Sequence, residues 1–387
     1  KEARVDANEI MNLTFVGNPI MHHLFLGIDP TELGGAPFAL ATNSGMTLWA
    51  TELDITETSP DARVYVLPCI AGHVGADTAG VILSETPHLN DETTLIVDVG
   101  TNAELLLGNK DRLLCASSPT GPAFEGAQIS CGQRAAPGAI ERVRIDKKTL
   151  KPRYKVIGCD FWSNDPRFLD ATKTTGVTGI CGSGIIELVA EMFLAQIVTT
   201  DGVINGNSAK ISKRIKEDGR TFRYVLIERE NEISINQTDI RAIQLAKAAL
   251  YAGAKLLMDK LGLKSIDKII LAGAFGSHID TKYALILGML PDCNPKNVSS
   301  AGNAAGTGAR IALLNQKSRD DIEAVVRQIE KVETAIEPRF QEHFIEAMAI
   351  PHKTNSYAKL SKVVVLPSPN LSVDSSVSRT RKRRRKT

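Results

Sequence analysis

The chain has 387 residues, of which 43% are apolar and 23% charged, and its formal net charge is +2. This composition is typical of folded water-soluble proteins, and the length allows two or three compact units. No apolar run approaches the roughly 20 residues that cross a bilayer, and no secretory signal opens the chain. We therefore predict a cytoplasmic protein that does not span a membrane.

The cysteines and the charges exclude further classes. Six cysteines occur without any Cys-x-x-Cys pair, so the common zinc and ferredoxin-type iron–sulfur motifs are not present. Much of the positive charge lies in the last nine residues, "RTRKRRRKT". This run is typical of a solvated end, and we do not expect nucleic acid as the partner of the protein.

Residues 1–92 predict part of an α/β lobe. The segment "NLTFVGNPIMHHLFLGI" predicts a strand ending at Val16 and a helix whose apolar face is formed by Met21, Leu24 and Phe25. A second strand, Val64 to Leu67, precedes another predicted helix. Its small residues recur every four positions, which allows another backbone to come close: Gly72, Ala76 and Gly80.

The segment "TLIVDVGTNAELLLG" places an aspartate, Asp98, at the end of an apolar strand. Gly100 removes a side chain at the following turn, and Thr101 and Asn102 add small polar groups. This composition is expected where a backbone approaches an anion and a carboxylate holds a metal ion. A plain hairpin with a polar tip is the alternative interpretation.

Residues 93–350 continue as alternating strands and helices. A third strand, "DRLLCASS", is followed by the turn "GPAFEG", and the turn "GICGSG" opens a helix. A long helix is predicted from an N-cap at Thr238, and a buried strand, Lys268 to Ala272, ends in the turn "GAFG". A last helix carries small residues at 302, 306 and 309. Residues 351–387 are rich in Ser, Pro, Lys and Arg and are predicted to be a disordered tail.

This order resembles the acetate kinase, sugar kinase, Hsp70 and actin superfamily, in which two ribonuclease-H-like lobes close over a nucleotide. "DVGTN" is similar to the phosphate loop of its second lobe, and "IILAGAFG" to its adenosine motif. The helices with small residues resemble the pair that cross at the hinge. The resemblance implies an actin-like α/β fold with a truncated first lobe.

Seven ordered segments resemble the C-terminal ATP-binding region of the corrinoid reductive activators, which use ATP to help return a corrinoid protein from cobalt(II) to cobalt(I). They are "FVGNPIMHHLFLGIDP", "VYVLPCIAGHVGADT", "DVGTNAELLLGNKDRLL", "GPAFEGAQISCGQRAAPGAIERVRID", "GICGSGIIELVAE", "LAGAFGSHID" and "GNAAGTGAR". The resemblance implies ATP and Mg²⁺ as cofactors, a corrinoid protein as partner and a methyltransferase system as context.

The resemblance also assigns candidate residues. Asp98 would bind Mg²⁺, and Asp98 and Glu125 would be catalytic, with Glu125 near a helix N-terminus. The phosphates would meet the amides of Gly100, Thr101 and Asn102 and the turn at Gly121. The nucleoside would lie on Gly273, Ala274, Phe275 and Gly276, in a groove that the two glycine turns share. The structural alternative for Asp98 and the residues Gly100, Thr101 and Asn102 is a capped turn. For Gly273–Gly276 it is a turn that enters a helix.

The turn Gly182–Gly184 has two further interpretations. As a helix opening it would face the corrinoid partner through Gly182, Ser183 and Gly184, with Ser183 as a weak oxygen ligand to cobalt(II). Cys181 resembles a cysteine that binds an iron–sulfur cluster in activators of 2-hydroxyacyl-CoA dehydratases, and a small packing residue is the alternative. A non-catalytic actin-like scaffold is the third function considered.

Two features depart from the family pattern. Its [2Fe–2S] ferredoxin domain, with its cysteine spacing, is not found here, and neither is the phosphate loop of the first lobe. The electrons would therefore come from a missing N-terminal domain or from a separate ferredoxin-type donor. The interpretation as a corrinoid activator also allows a homodimer.

Overall fold

The computed structural model describes residues 4–367. Its N-terminal part, up to residue 92, is a small sheet with two helices, which we call the first lobe. Strand β3 (Arg63–Val66) pairs in parallel with β1 (Asn12–Phe15) and antiparallel with β2 (Met46–Trp49). Both predicted strands are present, whereas β2 was not predicted. The elements in chain order are β1 (Asn12–Phe15), α1 (Pro19–Phe25), β2 (Met46–Trp49), β3 (Arg63–Val66) and α2 (Ala76–Glu85).

Helix α1 buries a different face from the one predicted, because only Phe25 of the three predicted residues packs against a core, where it stacks on Phe15. Met21 and Leu24 are 62% and 61% exposed, whereas His22 and His23 are buried. His23 is satisfied at both ring nitrogens, because its Nε2 accepts from the Ala41 amide (3.0 Å) and its Nδ1 lies 3.0 Å from the Pro19 carbonyl. Since a buried imidazole with two partners is stable in a core, the apolar pattern alone gave the wrong face.

The second lobe is built on a six-stranded sheet. Its strands, in spatial order, are β14 (Val298–Gly302), β13 (Lys268–Ala272), β4 (Thr94–Val99), β5 (Ala103–Gly108), β6 (Leu113–Ser118) and β15 (Glu330–Lys331). Strands β4, β5 and β6 are antiparallel neighbours, whereas β13 and β14 run parallel to β4. This is the actin-like arrangement that the sequence predicted. The elements of the lobe are β4 (Thr94–Val99), β5 (Ala103–Gly108), β6 (Leu113–Ser118), β7 (Ala139–Ile145), β8 (Pro152–Val156), α3 (Phe168–Ala171), β9 (Gly179–Ile180), α4 (Gly182–Leu194), β10 (Ile215–Asp218), β11 (Thr221–Ile227), β12 (Ile233–Asn236), α5 (Gln237–Lys260), β13 (Lys268–Ala272), α6 (Gly273–Gly276), α7 (Thr281–Leu287), β14 (Val298–Gly302), α8 (Ala304–Leu314), α9 (Gln316–Val326), β15 (Glu330–Lys331) and α10 (Pro338–Ala347).

Strand β4 is buried on both faces. Leu95 and Val97 belong to the large core that includes α4 and α5, whereas Ile96 belongs to the core shared with α2 and α8. Alternate side chains of one strand therefore hold helices on both sides of the sheet. None of the helices within residues 4–367 is long and apolar enough to cross a membrane.

Two predicted helix starts were wrong. Helix α2 begins at Ala76 rather than at Gly72, and Gly72 instead lies against the backbone of Phe38. Helix α5 begins at Gln237, capped by Asn236 in a reciprocal capping box with Asp239, rather than by Thr238.

The two lobes meet where α2 crosses α8. A Cβ on Gly308 would stand 1.8 Å from the Gly80 carbonyl oxygen, and a Cβ on Gly80 would stand 2.8 Å from that of Ala305. The predicted crossing of two small-residue helices is therefore present, and Gly80 takes part in it as predicted. On α8 the close approaches are made by Ala305 and Gly308 rather than by Gly302 and Gly306.

Residues 351–367 pack on the second lobe, so the predicted tail does not begin at residue 351. Tyr357 and Leu360 are fully buried, and the Asp292 carboxylate accepts from the Lys359 and Leu360 amides (2.8 and 3.1 Å). The buried Lys247 amino group donates to the carbonyls of Ala349 and Pro351. The rest of the predicted tail, 368–387, lies outside the described residues.

Candidate functional site

The two glycine turns predicted to share a groove leave the same edge of the sheet. Strands β4 and β13 are parallel neighbours, and Asp98 is paired with Ala272. Because the carboxyl ends of parallel strands meet at one edge, the turn after Asp98 and the turn at Gly273–Gly276 stand side by side. Strand β14 ends at this edge too, since Gly302 is paired with Ala272.

Gly273 brings the backbone of the second turn against the Asp98 carboxylate. Its φ is +86°, which disfavours any residue with a side chain, and a Cβ there would stand 2.3 Å from Asp98 Oδ1. The close approach leaves a carboxylate oxygen and bare backbone next to each other. Bare backbone beside a carboxylate is found at many sites that bind phosphate groups and metal ions.

Hydroxyl groups connect the first turn to the loop that follows β6. Thr120 donates to the Gly100 and Thr101 carbonyls (3.1 and 3.0 Å), and Thr101 donates to Glu125 Oε1 (2.8 Å). Glu125 thus lies at the turn, where it ends a short 3₁₀ turn, Pro122–Glu125. The carbonyl of the preceding residue, Phe124, faces Gly182 at the start of α4.

Not every predicted amide is free to meet an anion. The Gly100 N–H donates to the Asn102 carbonyl (3.0 Å), so it closes the turn. Thr101 and Asn102 are exposed at the tip. Gly121 adopts φ +68° with nothing near a hypothetical Cβ, so only its backbone conformation requires glycine.

Three carboxyl groups interact at this edge. Burial, and then the charge of Asp77, raise the pKa of Asp98 to about 6. Burial, followed by Asp77 and Asp98, raises the pKa of Glu104 to about 9, and burial raises that of Asp77. Asp77 lies in the first turn of α2, so it brings a first-lobe carboxylate to the second-lobe site.

The turn that opens α4 is buried beneath this site. A Cβ on Gly182 would stand 1.9 Å from the Phe124 carbonyl oxygen and 2.4 Å from the Phe275 ring, and one on Gly184 would stand 2.2 Å from the Ile140 carbonyl. Ser183 is 6% exposed. Since these three residues are buried, the prediction that they face a corrinoid partner disagrees with the structure.

Cys181 is likewise an interior residue. It is 2% exposed, and its thiol lies 3.2 Å from the Ile140 carbonyl and 3.4 Å from the Ser183 hydroxyl. This position agrees with a packing role and does not favour a cluster shared with a second subunit.

Sequence reasoning missed three polar residues of the site: Asp77, Glu104 and Thr120. Two of them carried a signal. Asp77 is a carboxylate among small residues in "AGHVGADTAG", and Glu104 is a charge within the apolar strand "AELLLG". Their meeting across two lobes depends on the α2–α8 crossing, which no local pattern specifies.

Comparisons with known proteins show the family of the chain. Residues 92–361 match the family model for the C-terminal domain of RACo, the ASKHA domain, and residues 1–89 match the RACo middle region. The chain belongs to the RACo family. Its predicted resemblance to corrinoid reductive activators is thereby confirmed.

Three relatives show how far the likeness to RACo proteins extends. The corrinoid activation enzyme RamQ of Eubacterium limosum is 34% identical over 89% of this chain and 57% of its own length. A [Co(II) methylated amine-specific corrinoid protein] reductase of Methanosarcina barkeri is 26% identical over 84% and 59%. A solved reductive activator for corrinoid, iron–sulfur protein superposes with a TM-score of 0.77 and 36% identity, over 91% of this chain and 54% of that one. The chain thus spans little more than half the length of these relatives.

Proposed function

We propose that this chain binds ATP with Mg²⁺ at the edge shared by the Asp98 and Gly273 turns, and that it serves the reductive activation of a corrinoid protein from cobalt(II) to cobalt(I). The observation that carries the nucleotide part is the contact of the Asp98 carboxylate with Gly273. The corrinoid part is supported by family membership and by the relatives named above.

The donor set suits Mg²⁺. Within residues 4–367, no three His, Cys, Asp or Glu side chains are grouped to hold a metal by themselves. Mg²⁺ is usually bound by one or two carboxylates together with water and substrate phosphates. Asp98 would hold the ion, which when bound would neutralise phosphate charge. A cation there would also relieve the repulsion between Asp77 and Asp98.

The remaining carboxyl groups have distinct roles in this proposal. Asp77, whose pKa is raised by burial, accepts a proton from water more readily than an exposed aspartate does. Glu104, with a pKa of about 9, stays protonated at neutral pH and adds no charge beside Asp98. Glu125 orients Thr101 through their 2.8 Å hydrogen bond.

Nucleotide binding would act on the partner through the lobes. Asp77 belongs to the first lobe and Asp98 to the second, so a ligand that both contact favours one relative arrangement of the lobes. A change of affinity for the cobalt(II) protein would follow, provided that the partner distinguishes the two arrangements. The electrons are assigned to a ferredoxin-type [2Fe–2S] donor outside this chain.

Isothermal titration with ATP·Mg²⁺ tests the nucleotide site. Asp98→Asn keeps the size of the side chain and removes its charge, and we expect the affinity to fall at least about tenfold. Asp91→Asn is the matched control, because Asp91 is 86% exposed at its side chain and pairs only with Lys110 in the described structure. No binding heat with the wild-type chain would favour the scaffold alternative, and equal affinity of both variants would contradict the role of Asp98.

The corrinoid part is tested separately with the full-length protein. A purified cobalt(II) corrinoid protein, a reduced ferredoxin and ATP·Mg²⁺ should together give the cobalt(I) absorbance. Omission of ATP should abolish it, and formation of cobalt(I) at the same rate without ATP would contradict the proposal.

A further inference from the structure

Strands β7 and β8, which form a three-stranded sheet with β9, present four cations on one face. Arg142 is directly opposite Lys155, and Arg144 is directly opposite Arg153. Residues opposite each other in an antiparallel pair share a face, and like charges in such pairs are destabilising. We call the face formed by Arg142, Arg144, Arg153 and Lys155 the cationic ribbon.

Only two of the four cations pair with a carboxylate, and they share a single one. The buried Glu187 carboxylate pairs with Arg142 (2.7 Å) and with Arg144, and Asp280 acts on Arg142 at longer range. Arg153 and Lys155 form no ion pair within residues 4–367. The two outer cations therefore cost stability through repulsion and gain no carboxylate in return.

Aromatic side chains accompany these cations. The Trp162 ring lies between Arg144 and Arg153, whose guanidinium carbons are 5.7 and 5.0 Å from its centre. Arg167 stacks over Phe161 at 4.0 Å, and the nearby Leu169 is 78% exposed. Arginine and aromatic residues are the types enriched in the energetic centres of protein–protein interfaces.

The cationic ribbon contacts helices that also hold the nucleotide turns in place. Arg144 stacks on Tyr283 of α7 at 4.7 Å, and α7 follows the Gly273–Gly276 turn. Glu187 lies on α4, whose first residue, Gly182, is in contact with Phe275. A protein bound to the ribbon would therefore touch the elements that also position the nucleotide turns.

We propose that the cationic ribbon docks an acidic surface of the corrinoid protein. This inference rests on the proposed function, because it names the surface that this partner uses. A protein fits better than nucleic acid. Residues 379–387 contain seven of the cations of a chain whose net charge is only +2, so the rest of the chain is negative and repels an extended phosphate backbone.

The test compares two charge-reversal variants of the full-length protein. The test variant, Arg153→Glu/Lys155→Glu, reverses the two outer cations of the cationic ribbon. The control variant, Lys296→Glu/Lys362→Glu, makes the same change of charge at a different place. Its two lysines line a cavity of about 490 Å³ near Ile266, at the other end of β13. The probe is a purified cobalt(II) corrinoid protein at two salt concentrations. We expect the ribbon variant to bind at least about tenfold more weakly with a smaller salt dependence, and the control to stay within about twofold of wild type.

Stability measurements separate docking from folding. Reversal of charge removes two like-charged pairs and one cation–π contact, which offset each other, so the thermal midpoint should stay within about 3 °C of wild type. Equal affinities of the two variants would overturn the proposal. A 20-base-pair DNA duplex, added at a concentration that supplies the same number of negative charges as the partner, should not displace the partner. Displacement would also overturn the proposal, since the cationic ribbon would then bind any polyanion.

The two proposals can fail independently. If the wild-type protein binds ATP·Mg²⁺ but no corrinoid protein, the docking inference is wrong and the nucleotide site stands. If ribbon-dependent binding of the corrinoid protein is observed without any ATP binding, the inference stands and the proposed ATP dependence is wrong.

Discussion

Replacing Gly273 by alanine probes the contact on which the nucleotide site depends. An alanine at φ +86° is strained by about 1–2 kcal/mol. Its Cβ would stand 2.3 Å from Asp98 Oδ1, well inside the 3.4 Å at which ordinary contact begins. Because that oxygen is the end of a side chain, it would move by roughly 1 Å, a displacement large enough to impair a binding site.

Two assays measure the two effects of Gly273→Ala. Urea unfolding should show a loss of about 1–2 kcal/mol, and titration with ATP·Mg²⁺ should show at least about a tenfold loss of affinity. Gly276→Ala is the stability control in the same turn. Its Cβ would lie 3.5 Å from the nearest atom, and its φ is outside the left-handed region, so we expect a change within about 0.5 kcal/mol.

A double-mutant cycle isolates the displaced carboxylate. In an Asp98→Ala background, no carboxylate stands near the new Cβ, so Gly273→Ala should lower stability as before but should not weaken ATP binding further. Equal losses of affinity in both backgrounds would refute the reasoning, as would wild-type affinity of Gly273→Ala alone.

Three other changes test the charges and the packing. Protonation of Asp98, whose pKa is about 6, removes the ligand for the cation. The affinity for ATP·Mg²⁺ should therefore fall about tenfold from pH 7 to pH 5, in addition to any fall seen in Asp98→Asn. The same pH dependence in wild type and in the variant would contradict this. Gly308→Ala places a Cβ 1.8 Å from the Gly80 carbonyl and should lower the free energy of unfolding by about 1–3 kcal/mol in urea, whereas Gly34→Ala, in open space, should not; equal effects would refute the close crossing. Burial lowers the pKa of Lys247 well below its usual value, so the unfolded chain binds a proton that the folded chain does not. The stability of wild type relative to Lys247→Met should therefore rise with pH, by up to about 1.4 kcal/mol per pH unit, until about pH 10. A stability difference that does not change with pH would contradict the burial of an amine.

The parts of the fold that sequence could predict are those with a local cause. The strand from Lys268 to Ala272 was predicted at its observed bounds, because an apolar run and a glycine turn define both ends. The position of Asp98 at the end of β4 was equally local. Burial of His23 was not, since it depends on an amide at Ala41, contributed by a loop outside α1.

The candidate site followed the same division. The two glycine turns were identifiable from their composition, and their adjacency follows from parallel pairing of β4 with β13. The contribution of Asp77 requires knowledge of how one lobe meets the other. The burial of Ser183 could not be read from "GICGSG", because a turn that opens a helix has the same composition at a surface and beneath a site. The order of residues 351–367 comes from partners such as Asp292, which are distant in sequence.

The pairing of β4 with β13 also has a consequence for how the protein acquires its activity. The Thr93 amide and the Asp267 carboxylate, bonded at 3.0 Å just before these strands, are 174 residues apart in the chain. Closing so long a loop is a slow, late step in folding. During synthesis, the ribosome must release β13 before the Asp98 turn gains its neighbour, and we therefore expect nascent chains that stop short of Gly273 to carry half of a nucleotide site.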